Sequence, residues 1–316
     1  MKRLLLAALL FPALALAQSF PTKPIRMVLP FGAGGVADLV SRTLAPKLSE
    51  DLGQQVVIEN KPSAGGIVAA NDVARSAPDG YTLLLITNGN AVSSALFKSL
   101  PYDPVNDFEM ISTIGAFSLV MLTDPKSDVK NVQEVIASAK ANPGKRNIAT
   151  VGLGSTQHLA AELFKSMSGI DAVIIPYKAT GEVVTAAKNR DAMVIFEFLA
   201  PSMSHIKSGN LRALAVTAGT RFAGLPDVPT VGESGLAGFE VTSWNGLAAP
   251  AKTPRAVIER LNRAVVKAIG SPEVQERFAT LGVTGRASTP EHLREYFISE
   301  AKKWAKVVET AKIPKR

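Results

Sequence analysis

The chain of 316 residues has no cysteine, only three histidines and few aromatic residues, which make up 6% of it. Without cysteine, structural disulfides, thiol catalysis and lipid attachment through a thiol are excluded. The histidines, His158, His205 and His292, do not fall at the spacing that places two ligands on one helix face. A G-x-S-x-G nucleophile motif is also missing. We therefore expect no metal, no cofactor and no enzymatic activity.

The apolar run Leu4–Leu16 is shorter than the roughly 20 residues that span a bilayer, and it contains Pro12. It follows two basic residues and ends at the small-residue site Ala15-Leu16-Ala17. This pattern is typical of a secretory signal. The sequence predicts that residues 1–17 are a signal peptide, with cleavage after Ala17 and export of the remaining chain.

The formal net charge of +8 would suit an anionic partner, but the basic residues are scattered. The tightest group, Lys302, Lys303 and Lys306, has no interleaved aromatic residues that would stack bases. Phe297, Ala301, Trp304 and Val308 recur there at helical spacing, so the lysines belong to the wet face of a docked helix. We expect no nucleic-acid partner.

Strand-like and helix-like segments alternate along the first hundred residues, which predicts an α/β fold with a mostly parallel sheet. Loops that follow successive strands would share the carboxyl edge of that sheet, where ligands bind. The predicted strands are 25–29, 55–59 and 81–86, the loops are 30–35, 60–66 and 87–90, and the helices begin near 36 and span 67–75.

A second series of alternating segments begins after the apolar stretch 118–123. Helices are predicted at 132–140, 157–167 and 182–188, and strands at 147–151, 172–176, 193–198 and 211–217. Ser155 or Thr156 is a natural helix N-cap. The tail reads as helices at 257–269 and 290–311 without strands of its own, so it returns to cover the first sheet. Two crossings, near 119–123 and 241–245, predict a hinge between two lobes.

Two enzymatic readings are the alternatives to the expectation that the chain has no enzymatic activity. Gly32–Ala37 satisfies G-x-G-x-x-A, and Glu59 ends the next strand, as in a dinucleotide-binding dehydrogenase. Export to a compartment without free nicotinamide cofactor weakens this reading. Ser155 and His158 could form part of a hydrolase site, although a serine at a helix start is more often a cap.

Two Ala-Gly-Gly triplets, 33–35 and 64–66, each stand between a strand-like and a helix-like run. Glycine allows a turn at positive φ and close approach of a ligand, while the first N–H groups of the following helix can bind an anion. The triplets predict a site for an anionic group; the alternative is that these glycines only make tight strand-to-helix turns for packing.

At this point a resemblance becomes visible. The chain resembles the Bug-type periplasmic solute-binding proteins of tripartite tricarboxylate transporters over its whole length after the signal. The matching motifs are FPTKPIR at 20–26, PFGAGG at 30–35 followed by Asp38 and Arg42, GQQVVIEN at 53–60, AGG at 64–66, APDGYT at 77–82, ANPGK at 141–145, Gly154-Ser155 with His158-Leu159-Ala160, PYK at 176–178, HIKSG at 205–209, LRALAV at 211–216 and Ala249-Pro250.

The resemblance implies a two-lobed Venus flytrap of the type II periplasmic class, each lobe a mostly parallel sheet flanked by helices. Lobe 1 would comprise 18–121 plus 243–316, and lobe 2 would comprise 122–242. It implies a periplasmic monomer that binds a small carboxylate between the lobes and delivers it to the membrane subunits of a transporter. A receptor that serves a signalling partner is the alternative.

The resemblance also implies the ligand-binding residues. First-lobe loops would hold one carboxylate, and second-lobe loops would read the far end of the solute. The set comprises Phe31, Gly32, Ala33, Gly34, Gly35, Asp38, Thr87, Asn88, Gly89, Asn90, Ser155, Thr156, His158, Lys178, Ala179, Thr180, Gly181 and Glu197.

The sequence departs from the family pattern in the second lobe. Ala179 and Glu182 stand in a loop that more often reads Lys-Gly-Thr-Gly-Pro, and 189–192 replaces a Gly-Gln-Val-Asp-like turn. Glu197 stands where the family often has Asp after an aromatic residue. That acid would face an amino or hydroxyl group of the solute or cap a neighbouring turn. The departures fall where specificity is expected.

Overall fold

The computed structural model describes residues 20–310 and 313–315, so the predicted signal segment 1–17 lies outside the described residues. Strands and helices alternate along this part of the chain. The elements are β1 (Ile25–Leu29), α1 (Val36–Leu52), β2 (Val56–Asn60), α2 (Ile67–Ala74), β3 (Thr82–Thr87), α3 (Asn88–Leu96), β4 (Phe108–Thr123), α4 (Val132–Ala141), β5 (Asn147–Val151), α5 (Thr156–Ser168), β6 (Val173–Tyr177), α6 (Thr180–Lys188), β7 (Val194–Phe198), α7 (Leu199–Lys207), β8 (Arg212–Val216), β9 (Thr242–Pro250), α8 (Arg255–Ile269), α9 (Pro272–Thr280), β10 (Val283–Gly285) and α10 (Pro290–Thr310).

The strands form two groups that share β4. In the first, β1 runs parallel to β2 and β3, while β9 is antiparallel to β3 and to residues 108–118 of β4. In the second, β5 runs parallel to β6 and β7, and residues 119–123 of β4 pair antiparallel with β7 and β8. We call these groups, with the helices packed on them, the first lobe and the second lobe. The long strand β4 passes from one to the other.

Each sheet has a core on both faces. Helices α1 and α8 cover one face of the first sheet, where Val40, Leu44 and Leu48 of α1 are buried at helical spacing. The other face packs Trp244 against Phe297 of α10. Farther along α10, Trp304 and Val308 enter a core of the second lobe. Helix α10 therefore contributes to the cores of both lobes.

The helix boundaries follow the local sequence. Gly53 ends α1 and Gly169 ends α5, each in the left-handed conformation that glycine adopts at low cost. Asn131 caps α4 through a bond from the N–H of Glu134, and Ser155 caps α5 through a bond from the N–H of His158. Of the two predicted N-cap candidates, Ser155 and Thr156, Ser155 is the cap in the structure.

Several sequence-based expectations were wrong. The tail does contain strand structure, because Val283–Gly285 pairs with Gly115–Phe117 of β4. The segment 87–90 is not a loop, since Asn88 already begins α3. Strand β4 begins at Phe108, ten residues before the predicted apolar stretch, and α7, α9 and most of β9 were not predicted.

Candidate functional site

The carboxyl ends of the parallel strands in the two lobes face each other. The hydroxyl of Thr156, at the start of α5, lies 2.9 Å from that of Ser243 in β9. The rings of Phe117 and Phe198 pack edge to face with centroids 5.1 Å apart. These contacts join the lobes at the edge where parallel α/β sheets bind ligands. We call this junction the interlobe edge.

The loop 31–35 after β1 is exposed, and the buried carboxylate of Asp38 is the centre of the hydrogen bonds that hold it. Asp38 Oδ2 accepts hydrogen bonds from the N–H of Gly34 at 2.9 Å and from Arg42 Nε at 2.9 Å. Asn60 Nδ2 donates to Asp38 Oδ1 and to the carbonyl of Phe31, both at 3.0 Å. The N–H of Gly34 and the carboxylate of Asp38 thus satisfy each other. Both residues were predicted to contact the solute, whereas this geometry gives them a part in shaping the loop.

Gly34 has a φ of +85° and open space around its Cα. A glycine is needed there for its backbone conformation rather than for lack of room. The next residue, Gly35, is the N-cap of α1 and has no side chain to satisfy the first N–H groups of the helix. Those N–H groups have no acceptor within the helix, and they lie in the segment that follows the carboxyl end of β1.

Burial alone raises the pKa of Asp38, but the hydrogen bonds from Arg42, Gly34 and Asn60 outweigh it and hold that pKa below its usual range. A depressed carboxyl pKa stabilises the fold above the unfolded-state value, about 3.9, and this contribution is lost as the pH falls through the folded-state value. Asp38→Asn should therefore lower the free energy of unfolding by about 2–4 kcal/mol at pH 7, because the amide places a donor against donors. The difference from the native protein should shrink toward pH 3.

Urea unfolding at pH 7 and pH 3 measures this effect. Asp227→Asn, at an exposed acid, is the control and should change neither value. An equal cost of Asp38→Asn at both pH values would contradict the proposed role of the ionised carboxylate.

Asparagine side chains follow the end of β3 in the first lobe. Thr87 caps α3. Asn90 Oδ1 accepts hydrogen bonds from the N–H of Thr87 at 3.0 Å and from the hydroxyl of Thr87 at 3.1 Å. Asn88 is 1% exposed, yet neither Oδ1 nor Nδ2 of its side chain has a hydrogen-bond partner among the described residues. A buried amide without partners costs about 1–3 kcal/mol for each unsatisfied group. Asn88 is therefore suited to a polar partner from outside the chain.

Asn245 is a further candidate that the sequence did not indicate. It lies opposite Thr87 in the antiparallel pairing of β3 and β9. Its side chain is 2% exposed, and its Nδ2 has no hydrogen-bond partner within the described part of the chain. An asparagine directly after Trp244 in the buried strand β9 was the sequence signal that could have pointed to it.

The second Ala-Gly-Gly triplet touches the second lobe. It forms a single 3-10 turn in which Gly65 and Gly66 are buried at positive φ. A Cβ on Gly154, in the loop before α5, would lie 3.8 Å from the Cα of Gly65. A Cβ on Gly89 would lie 3.7 Å from the carbonyl oxygen of Gly154 and 4.0 Å from that of Gly65. Three glycines thus let the two lobes come into backbone contact.

In the second lobe, the start of α5 is buried and the start of α6 is more exposed. Thr156 and His158 are buried, and His158 Nε2 lies 3.7 Å from Glu162 Oε1. Burial raises the pKa of Glu162, with Lys165 offsetting part of the effect. Lys178, Ala179 and Gly181 are exposed, and the N–H of Lys178 donates to Glu182 Oε2 at 3.0 Å.

Glu197, at the end of β7, is fully buried. Its Oε1 accepts hydrogen bonds from Gln157 Nε2 at 2.9 Å and from the N–H of Phe198 at 2.8 Å. Burial raises the pKa of Glu197, and the hydrogen bonds from Phe198 and Gln157, with the nearby hydroxyl of Thr180, offset only part of that rise. Gln157 is a second residue that sequence reasoning missed, because a glutamine in the first turn of a helix usually faces water.

The residues behind the two enzymatic readings have structural partners. Glu59 is held in ion pairs with Arg26 at 2.8 Å and Lys61 at 3.1 Å. The hydroxyl of Ser155 donates to the carbonyl of Val151 at 2.6 Å while it caps α5. Over the described residues, no group of three acidic, histidine or cysteine side chains could hold a metal ion. No helix in that same part of the chain is long and apolar enough to cross a membrane.

Comparisons with known proteins show which family this chain is similar to. Residues 40–313 match the family model described as tripartite tricarboxylate transporter family receptor. The chain is 38% identical over 294 residues to Protein BugT of Bordetella pertussis, covering 92% of this chain and 90% of BugT.

Two solved structures are similar throughout. The periplasmic binding protein BugD matches with a TM-score of 0.86 and 33% identity, covering 94% of this chain and all of that one. MatC from Rhodopseudomonas palustris with bound malate matches with a TM-score of 0.84 and 30% identity, covering 92% of this chain and all of that one. The predicted periplasmic binding protein fold is confirmed.

Proposed function

Because the chain belongs to the tripartite tricarboxylate transporter receptor family, we propose that it binds a small carboxylate at the interlobe edge and delivers it to the membrane subunits of such a transporter. The family model describes a receptor, and the similar structure of BugD is that of a periplasmic binding protein, which supports a periplasmic location. The bound malate of MatC supports a carboxylate as the ligand class.

The observation that carries this proposal is the buried amide of Asn88. Both of its polar atoms lack a partner among the described residues, and it stands at the N-terminus of α3 beside the contact between the lobes. Its Nδ2 can donate to a carboxylate oxygen, and its Oδ1 can accept from a water or a hydroxyl. Asn245 Nδ2 offers a second donor close to Thr87.

The helix N-termini add to the attraction for an anion. The first N–H groups of α1 and α3 lie at this edge, and each helix end contributes about 1 kcal/mol to binding a negative group. Each hydrogen bond to a carboxylate contributes about 1.5–3 kcal/mol. Three or four such bonds outweigh the costs of association sufficiently for micromolar affinity, about 8 kcal/mol.

The residues divide into contacts and supports. We assign contact with the solute carboxylate to the loop residues Phe31, Gly32, Ala33 and Gly35 and to Thr87, Asn88 and Gly89. We assign Gly34, Asp38 and Asn90 to holding those segments in place. The far end of the solute would face residues of the second lobe, namely Ser155, Thr156, His158, 178–181 and Glu197.

Closure would occur about the strands that join the lobes. We propose the division predicted from the sequence, 18–121 plus 243–316 and 122–242, with β4 and the start of β9 as the hinge. Helix α10 packs on the cores of both lobes, so its contacts with one of them would have to shift as the lobes move. We further propose a monomer that is released from its signal after Ala17.

A thermal-shift assay with mono-, di- and tricarboxylates tests the function. A ligand at 100 times its Kd stabilises the protein by about 2.7 kcal/mol, which corresponds to a rise in melting temperature on the order of 5 °C for a chain of this size. We expect at least one small carboxylate to give such a rise, and chloride at equal ionic strength to give none. If no carboxylate shifts the transition, the proposed function is wrong.

A further inference from the structure

Glu197, near the end of β7 in the second lobe, is a buried acidic residue whose carboxylate is incompletely hydrogen-bonded within the described part of the chain. Its Oε1 has two donors, whereas its Oε2 has no hydrogen-bond partner among the described residues. The hydroxyl of Thr180 approaches the carboxylate without completing a bond to Oε2. A fully buried carboxylate oxygen is therefore available to a donor from elsewhere.

Three helices begin around this carboxylate. Gln157 is in the first turn of α5, Thr180 is the first residue of α6, and Phe198 is the N-cap of α7. Helix N-termini carry partial positive charge and attract anions. Glu197 takes the position that an external anion would otherwise occupy. The helix N-termini of the second lobe that could attract an external anion thus surround the carboxylate of Glu197 instead.

The same group lies at the wall that meets the first lobe. Thr156, next to Gln157, contacts Ser243, and Phe198, next to Glu197, packs on Phe117. Gly154, in the loop before α5, touches Gly65. A solute held by its carboxylate at Asn88 would extend toward this wall.

We infer that Glu197 selects a carboxylate solute whose far end donates hydrogen bonds, as an amino or hydroxyl group does, against a solute that ends in a second carboxylate. This rests on the proposed function. A donor at the far end would complete the coordination of Oε2. The donors from Gln157 and Phe198 and the three helix N-termini favour the ionised form of Glu197 against the burial that raises its pKa. A second carboxylate would therefore meet a like charge where little water screens it, and the discrimination should be on the order of 100-fold in Kd.

Straight-chain acids that differ only at the far end provide the test. In each series of three to six carbons, the compounds carry a carboxylate at one end and a methyl, hydroxyl, amino or carboxylate group at the other. Calorimetry on the full chain should rank the hydroxy or amino acid above the diacid of equal length. Comparing the affinities of the hydroxyl and amino compounds shows which of the two donors binds Glu197 more tightly. This ranking in the native protein requires no variant.

Glu197→Gln tests the residue itself. The glutamine keeps an acceptor for Gln157 and for the N–H of Phe198, and it places an amide N–H₂ where Oε2 stood. We expect the preference to reverse, with the diacid binding at least tenfold more tightly than it binds the native protein. The methyl-ended acid should bind unchanged. Asp191→Asn removes one charge from the opposite edge of the same lobe and should leave the ranking unaltered.

Two results would overturn the inference while leaving the proposed function intact. One is a native protein that binds diacids as tightly as, or more tightly than, their amino and hydroxy counterparts. The other is a folded Glu197→Gln variant with the native ranking. If no acid in any series binds, the proposed function fails and the inference fails with it.

Discussion

Replacing Asn88 with leucine should abolish carboxylate binding and raise the free energy of unfolding by about 1–3 kcal/mol. Both polar atoms of the buried Asn88 side chain lack partners in the described structure, so the native fold carries their desolvation cost. A leucine of similar branching removes that cost and also removes the donor that we assign to the solute carboxylate. Calorimetric titration with the acid found in the thermal-shift assay measures the loss of binding, and urea unfolding without ligand measures the gain in stability.

Asn90, two residues along the same helix, is the matched control. Its Oδ1 accepts two bonds from Thr87 and closes the cap of α3. Asn90→Leu should therefore lower the free energy of unfolding by about 1–3 kcal/mol. A loss of stability in Asn88→Leu, or retained binding, would show that the Asn88 amide is a structural group and not a ligand contact.

Replacing Gly89 with phenylalanine should prevent the lobes from meeting and weaken carboxylate binding by roughly 100-fold or more. The carbonyl oxygens of Gly154 and Gly65 leave room for a Cβ at position 89 but not for a ring. With the lobes held apart, the second lobe cannot contribute its contacts, and two lost bonds to a charged group amount to about 3–6 kcal/mol. Calorimetry measures the affinity, and small-angle X-ray scattering measures the radius of gyration with ligand.

Gly89→Ala is the control for this substitution. Its methyl group would make ordinary contacts of 3.5 Å or longer, and the backbone at Gly89 is not in the left-handed region. We expect native affinity and native compaction from Gly89→Ala. If Gly89→Phe bound the acid as tightly as the native protein, the contact between Gly89, Gly65 and Gly154 could not be part of the bound state.

The alternation of strands and helices in the first series could be predicted because its signals are local. Strand β1, helix α1 and strand β2 are separated by glycine and proline, and the apolar spacing of α1 is regular. Helix α3 was missed because Thr87, Asn88 and Asn90 are typical loop residues. Here Thr87 and Asn90 instead form the cap of a helix that continues without a break from β3.

The elements that join the lobes depend on distant partners. Strand β9 is buried between β3 and β4, so its residues show no polar alternation. Strand β10 has three residues and is defined only by its pairing with β4. Helix α7 starts directly after β7, and Pro201 stands in its first turn, where a missing N–H costs nothing. A single-sequence pattern contains none of these relationships.

The sequence indicated the strand ends that form the candidate site, but not the side chains that tertiary structure brings beside them. The carboxyl edges of the parallel strands carry the loops 31–35 and 152–155 and the start of α3, as the alternation of strands and helices predicts. Asn245 and Gln157 come to the same region only through the pairing of β9 and the packing of α5. Asp38 shows the opposite case, because a polar residue beside a glycine loop suggested contact with the solute whereas its carboxylate is satisfied by Gly34, Arg42 and Asn60.

A crystal structure with the acid that gives the largest thermal shift is the most direct test of carboxylate binding between the lobes. The account predicts a carboxylate oxygen about 3 Å from Asn88 Nδ2, next to the first turns of α1 and α3, with Gly154 in contact with Gly65. An acid bound away from the interlobe edge, or one whose carboxylate makes no contact with Asn88, would contradict it.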